Sequence, residues 1–211
     1  WLEFRRVLFR SILTKNLPLQ KGVQASTSPE IREKKTYENT QVYFLGNSNV
    51  QQATIYFYFN GKPYDKEQNV LFQAFNQYFS GGFTGIVLDE IREKRSMAYT
   101  ASGNMSRGAL PGKKASFMGY IGTQSDKVIE AINVFMSLLD SMPEYPERIE
   151  SVKAALLQYA QISKPDFRSK SETYDAWREM GYEIDPAKYN QEAINNLTFE
   201  QIKQFYEENI K

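Results

Sequence analysis

The hydrophobic period of the chain switches between strand and helix spacing, and the first of those switches constrains the fold more than any other feature. Val42-Tyr43-Phe44-Leu45 and Ala53-Thr54-Ile55-Tyr56-Phe57-Tyr58-Phe59 are runs of aromatic and β-branched residues. A Gly/Asn/Ser cluster at 46–49 separates them and Asn60-Gly61 closes the second, so both read as strands. Beyond that point the spacing turns helical. Leu71, Ala74, Phe75 and Tyr78 fall at i, i+3, i+4 and i+7, which predicts a helix over about 65–79, ended by Ser80-Gly81-Gly82. A shorter helix is expected over about 84–95, with Glu90 and Lys94 as an i, i+4 pair. Two strands, about 99–107 and 114–122, then form a hairpin across Gly108–Gly112.

The remainder is helical. One apolar stripe runs from Val128 to Leu139 and stops at Pro143; another runs from Ile149 to Tyr159 and stops at Pro165. A polar helix carries Tyr174 and Trp177, and Thr198-Phe199-Glu200-Gln201 is a capping-box pattern opening the last one. The order ββαα ββ αααα groups strands and helices instead of alternating them. It predicts an α+β fold: a mainly antiparallel sheet with helices packed on one face.

Composition narrows the chemistry. The chain has 211 residues, 26 Lys+Arg against 25 Asp+Glu, and 41% hydrophobic residues. It can build a core, and its charge balance of +1 offers no basic field for nucleic acid. No stretch approaches the apolar length of a membrane span. There is no Cys and no His. Disulfides, thiolate nucleophiles, Ser-His-Asp triads and His- or Cys-ligated metals are therefore excluded within this chain; an all-carboxylate Mg²⁺ or Ca²⁺ site stays open.

Leu2–Ser11 matches, codon for codon, the translation of a common DNA-sequencing adapter, and Trp1 fits a reassigned stop codon before it. Residues 1–11 are accordingly set apart from the domain, the other reading being a short basic targeting peptide. Residues 12–39 are polar and aperiodic, with Pro18, Gly22 and Ser26-Thr27-Ser28-Pro29, and read as a linker. The domain is expected over 40–211, lacking its last strand, with truncation open at both gene ends.

Few residues offer chemistry on their own. Asp89, Glu90 and Glu93 read as a solvated acidic face. The glycines at 81, 82 and 85 lack the spacing and the following Lys-Ser/Thr of a phosphate loop. Tyr56–Phe59 reads as core in preference to a base-stacking platform.

The segment from Ser80 to Tyr99 is more specific. It resembles the signature of the insulinase-like, pitrilysin-type zinc metallopeptidases. In that signature two glycines end a helix, a short helix closes on Arg-Glu-Lys, and a turn leads to a Tyr opening a strand. Arg92-Glu93-Lys94-Arg95-Ser96-Met97-Ala98-Tyr99 matches that stretch, and the element order is similar from about Gln41 to Lys211. Members carry a zinc-bearing half, with an inverted His-x-x-Glu-His motif, facing a second half across a chamber. Without histidine this chain corresponds to the second, C-terminal-type half. The resemblance implies a non-catalytic domain, inactive alone, that binds peptide substrate opposite a catalytic zinc-bearing domain. That domain is either in cis or a separate subunit, and the zinc belongs to it.

The resemblance carries the substrate-binding role over to Arg92 and Tyr99, and assigns no catalytic residue and no metal ligand to this segment. The residues alone allow a plainer alternative, with Arg92 capping its helix and Tyr99 at the core edge. At the level of the whole protein the alternative is a structural or assembly subunit of the same fold. A bacterial periplasm or cell envelope is the expected compartment.

Overall fold

The computed structural model describes residues 7, 9–12, 15, 16, 35–47, 49–108 and 110–211. The chain divides into two compact units, Trp1–Arg32 and Glu33–Lys211. In the first, the described residues are helical, and Asn16 Nδ2 donates to the Ile12 carbonyl at 2.8 Å. Most of the segments read as 1–11 and as the linker 12–39 lie outside the described residues.

The second unit carries the fold. Its strands are β1 (Gln52–Pro63), β2 (Ala98–Ser106) and β3 (Lys114–Gln124), arranged in the order β1-β3-β2 with both pairings antiparallel. The helices are α1 (Asn69–Ser80), α2 (Ile86–Leu88), α3 (Val128–Asp140), α4 (Ile149–Ile162), α5 (Lys170–Glu179), α6 (Pro186–Tyr189), α7 (Gln191–Asn195) and α8 (Phe199–Asn209). The α+β class expected from the period change is the class observed.

Strand alternation sets the layers. Ile55, Phe57 and Phe59 of β1, Phe117 and Ile121 of β3, and Ala101 and Met105 of β2 point into the helical layer. Tyr56, Tyr58, Met118 and Tyr120 lie on the opposite face, where Tyr56 and Tyr120 pair across the strands with ring centroids 5.4 Å apart. The core is an aromatic stack. Phe57 lies on Phe135 of α3 at 4.4 Å, Phe59 on Phe117 at 4.8 Å, and Phe75 on Phe79 within α1 at 5.1 Å. Gly119 makes room for it: a Cβ there would meet the Phe135 ring at 2.6 Å.

The outer edge of β2 is partly occupied by side chains of α1. Asn76 accepts from Met105 N at 2.7 Å and donates to Met105 O at 2.8 Å, and Ser80 Oγ accepts from Gly103 N at 3.0 Å. These bonds satisfy backbone groups that a free edge would offer to another strand.

Several local expectations change. Val42–Leu45 is not a strand; Val42, Phe44 and Leu45 are about nine-tenths exposed in irregular chain. Aromatic and β-branched residues favour a pleated, half-buried surface, and no strand pairs with this run among the described residues. Asn60-Gly61 does not close β1, which continues through an irregularity in register to Pro63. The helices α6 and α7 were not expected. The Asp185-Pro186 pair that opens α6 is an N-cap followed by proline at N1, with Asp185 Oδ1 accepting from Ala187 N at 2.9 Å.

Candidate functional site

The corner between α1 and β2 departs from regular structure at almost every step. Helix α1 ends at Gly81, and Gly82 takes φ +58°, where a side chain is strained. Gly85 approaches the chain so closely that a Cβ would sit 2.7 Å from Gly81 N. This tight loop leaves Phe83 exposed.

The single helix expected over 84–95 is instead α2 followed by a π-turn, Asp89–Glu93. Its wide closure is visible in Lys94 N donating to Asp89 O at 3.0 Å, an i→i+5 bond. Ile91, fully buried, anchors the turn to the core. Ser96 then takes φ +49°, a left-handed value rare outside glycine, while its N–H reaches Arg92 O at 2.8 Å and Met97 N reaches Ile91 O at 3.0 Å.

Strand β2 opens with a third irregularity. Ala98 pairs with Thr123 and Thr100 with Gly122, so Tyr99 is an extra residue, a β-bulge. Tyr99 is 82% exposed, which removes the reading of it as a core-edge aromatic. Thr123, buried, ties β3 to the corner by donating to Met97 O.

Arg92 and Tyr99 share one concavity of about 400 Å³, lined also by Gln52, Ser96, Met97 and Gln124. Arg92 Nε contacts Glu93 Oε1 at 2.9 Å, and the guanidinium lies 5.4 Å from the centre of the Phe83 ring, at cation–π distance. A guanidinium and a phenol at one recess are donors suited to carbonyl oxygens of a peptide.

Around the π-turn is a set of charges that the reading of Asp89, Glu90 and Glu93 as a solvated face missed. The Glu90 side chain is only 9% exposed. It accepts from Lys94 Nζ at 2.6 Å, the pair expected from i, i+4 spacing, and from Arg95 Nη1. Arg95 Nη1 also reaches the Glu90 carbonyl at 2.7 Å. Burial raises the Glu90 pKa, but the hydrogen bonds from Lys94 and Arg95 outweigh it and hold the carboxyl below its ordinary value. Tyr145 OH lies 3.2 Å from Lys94 Nζ and 3.5 Å from Glu90 Oε1. Arg148 links Asp89 Oδ2 (3.2 Å) to Thr84 O in the glycine loop (2.9 Å). Only the Glu90–Lys94 contact has a local sequence signal; Tyr145 and Arg148 come from more than fifty residues away.

The donor set does not fit a zinc site. The sequence has no imidazole or thiolate, and the described Asp and Glu side chains form no group able to hold a metal ion. Among the described residues no helix is long and apolar enough to cross a membrane.

The sequence matches the family described as the peptidase M16 inactive domain over residues 8–156. The chain belongs to this family, the inactive domain of the insulinase-like metallopeptidases. No curated protein matches it. Its fold is similar to many solved structures, among them the following three. The first is the peptidase M16 inactive domain from Pseudomonas fluorescens, with 18% identity, a TM-score of 0.60, and 77% of this chain covering 39% of that one. The second is the periplasmic protease PqqL from Escherichia coli, with 15% identity, a TM-score of 0.62, and 97% of this chain covering 23% of that one. The third is the inactive peptidase domain of a proposed zinc protease from Bordetella parapertussis, with 10% identity, a TM-score of 0.59, and coverage of 75% and 87%. The chain spans about two-fifths of the length of the first of these.

Proposed function

We propose that this domain is the non-catalytic half of a zinc metalloendopeptidase. It binds peptide substrate and completes the chamber opposite a zinc-bearing domain, which is present in cis or as a separate subunit. Arg92 and Tyr99 are its substrate-binding residues. The observation that supports this reading best is the bulge at Tyr99, which turns a large aromatic out of the sheet into the recess that Arg92 lines. The zinc and the general base belong to the facing half. This half supplies donors where negative charge develops on a peptide carbonyl oxygen, or along the substrate backbone beside it. Membership of the inactive-domain family and the missing ligand chemistry both support the division of labour. PqqL of similar fold is periplasmic, in keeping with a periplasmic or envelope setting.

The test is kinetic, in the peptidase assembled from this chain and its zinc-bearing partner. Tyr99→Phe removes one donor and keeps the ring. If that donor acts on the developing oxyanion, kcat falls by about 10²–10³-fold with KM unchanged. If it holds the substrate backbone, KM rises and kcat is kept. Arg92→Lys is costly in either case, because an ammonium cannot reproduce the planar fork. Wild-type kinetics in both variants would refute the proposal and leave an assembly role for the domain.

A further inference from the structure

We infer that Glu90 is a positioning residue for Arg92: its buried carboxylate holds the π-turn in the form that delivers the guanidinium to the recess. The inference rests on the substrate-binding role proposed for Arg92.

Between Asp89 and Tyr99 the backbone contains a π-turn, a left-handed serine and a β-bulge. Each is less favourable than the regular alternative, and such features persist only where the surroundings over-determine them. The simplest relaxation is the regular helix that the spacing of Leu88, Ile91 and the Glu90–Lys94 pair predicts. A π-turn contains one more residue than the α-turn it replaces, so relaxing it would rotate Arg92 about the helix axis relative to the buried Ile91.

Glu90 opposes that relaxation. Its Oε1 accepts from Lys94 Nζ at 2.6 Å, an i, i+4 contact that a regular helix also allows, whereas its Oε2 accepts from Arg95 Nη1, five residues on, which the wider turn brings round. Lys94 and Arg95 are the first two residues after the π-turn, and Lys94 N makes its closing bond to Asp89 O. Arg95 grips the Glu90 carbonyl as well. One buried side chain therefore fastens the far limb of the turn to its start through charge-assisted bonds. Tyr145 and Arg148 support the cluster from the segment before α4, through Lys94 and Asp89 respectively. Glu90 itself does not line the recess. Its effect on a substrate would have to pass through Arg92.

A double-mutant cycle in the assembled enzyme separates positioning from general structural support. Glu90→Gln keeps the volume and loses the charge. It is expected to lower kcat/KM by about 10–100-fold, as misplacement of a binding group by about an ångström does. In an Arg92→Ala background the same substitution should change kcat/KM by less than about twofold, because no guanidinium remains to misplace. Arg95→Gln, at a side chain 40% exposed, removes only one of the two clamps and serves if Glu90→Gln does not fold. It should show the same dependence on Arg92 with a smaller fold-change. Equal penalties in both backgrounds would overturn the inference while leaving the proposed role of Arg92 intact. An Arg92→Ala enzyme with wild-type kinetics would remove that role and this inference together.

Discussion

Replacing Gly119 by alanine tests whether the close approach of β3 to α3 is a built feature of the core. A Cβ at Gly119 would lie 2.6 Å from Phe135 Cζ, 2.7 Å from Cε1, and 3.2 Å from Phe57 Cβ. Phe135 cannot swing aside easily. It is fully buried, stacked on Phe57 at 4.4 Å, and set edge-on against Phe79 at 6.5 Å. Overpacking of this kind costs about 1–3 kcal/mol, which exceeds the few tenths to about 1 kcal/mol that alanine recovers over glycine in strand entropy. Phe135→Ala alone costs about 3–5 kcal/mol through lost burial and the cavity left behind. Combined, the two should not add. The new methyl enters the space the ring vacated, so Gly119→Ala becomes close to neutral in the Phe135→Ala background, a coupling of about 1–3 kcal/mol. Urea denaturation followed by far-UV circular dichroism gives each corner of the cycle, with Phe135→Leu as the substitute if alanine leaves too little folded protein. Additivity within about 0.5 kcal/mol would show that glycine and ring do not share this space, and would refute the packing argument.

Two further outcomes are expected. Thr198→Ala should lower stability by about 0.5–2 kcal/mol and Thr198→Ser should largely restore it, because the Thr198 hydroxyl accepts from Gln201 N while Gln201 Oε1 accepts from Thr198 N at 3.0 Å; equal loss in both variants would exclude the cap. Glu90, held below its ordinary value among Lys94, Arg95, Tyr145, Asp89 and Arg148, takes up its proton more readily in the unfolded chain, so its contribution is whole above about pH 4.3 and is lost as pH falls through the lower folded value; Glu90→Gln should flatten that acid limb in denaturation measured from pH 6 downward, and an unchanged limb would contradict the assignment.

What the sequence made legible was what short-range chemistry specifies. The capping box at Thr198, the arrest of α1 at Ser80-Gly81 and the i, i+4 contact of Glu90 with Lys94 depend on neighbours within a turn, and all three are observed. The layer arrangement followed from the period change because one face of each strand and helix has to be buried. The failures have a common cause. Val42–Leu45 has the composition of a strand but no partner among the described strands, and strand formation is a property of the pairing. Glu90 reads as one acid among three on a short helix; it becomes a buried hub through Arg95, which the π-turn brings round, and through Tyr145 and the Arg148–Asp89 pair, which tertiary packing sets. The π-turn and the bulge have no composition signal, since each is one residue more than the regular element contains. Arg92 and Tyr99 are singled out by motif resemblance alone, and the recess they share follows from these two irregularities.

The aromatic core and the irregular corner are physically connected. An exposed phenol and a guanidinium beside it are useful to a ligand only if both are held still, and regular structure would not present them together. In an unbulged strand, one of the neighbours Ala98 and Tyr99 would face the core and the other the open side. The bulge lets Ala98 and Ala101 both stay buried while Tyr99 and Thr100 both face out. That departure is affordable because β2 is fixed on both sides. Strand β3 pairs along its inner edge, Asn76 and Ser80 hold Met105 and Gly103 on its outer edge, and Thr123 holds Met97 just before it begins. Ile91, at the centre of the π-turn, is buried in the same core as Phe79 and Phe117. Rigidity therefore passes from the stacked phenylalanines through α1 and β3 to the two sides of the recess. Loosening the core at Phe135 should consequently disturb Arg92 and Tyr99 less than removing Glu90 does, because the core supports the elements while Glu90 supports the turn between them.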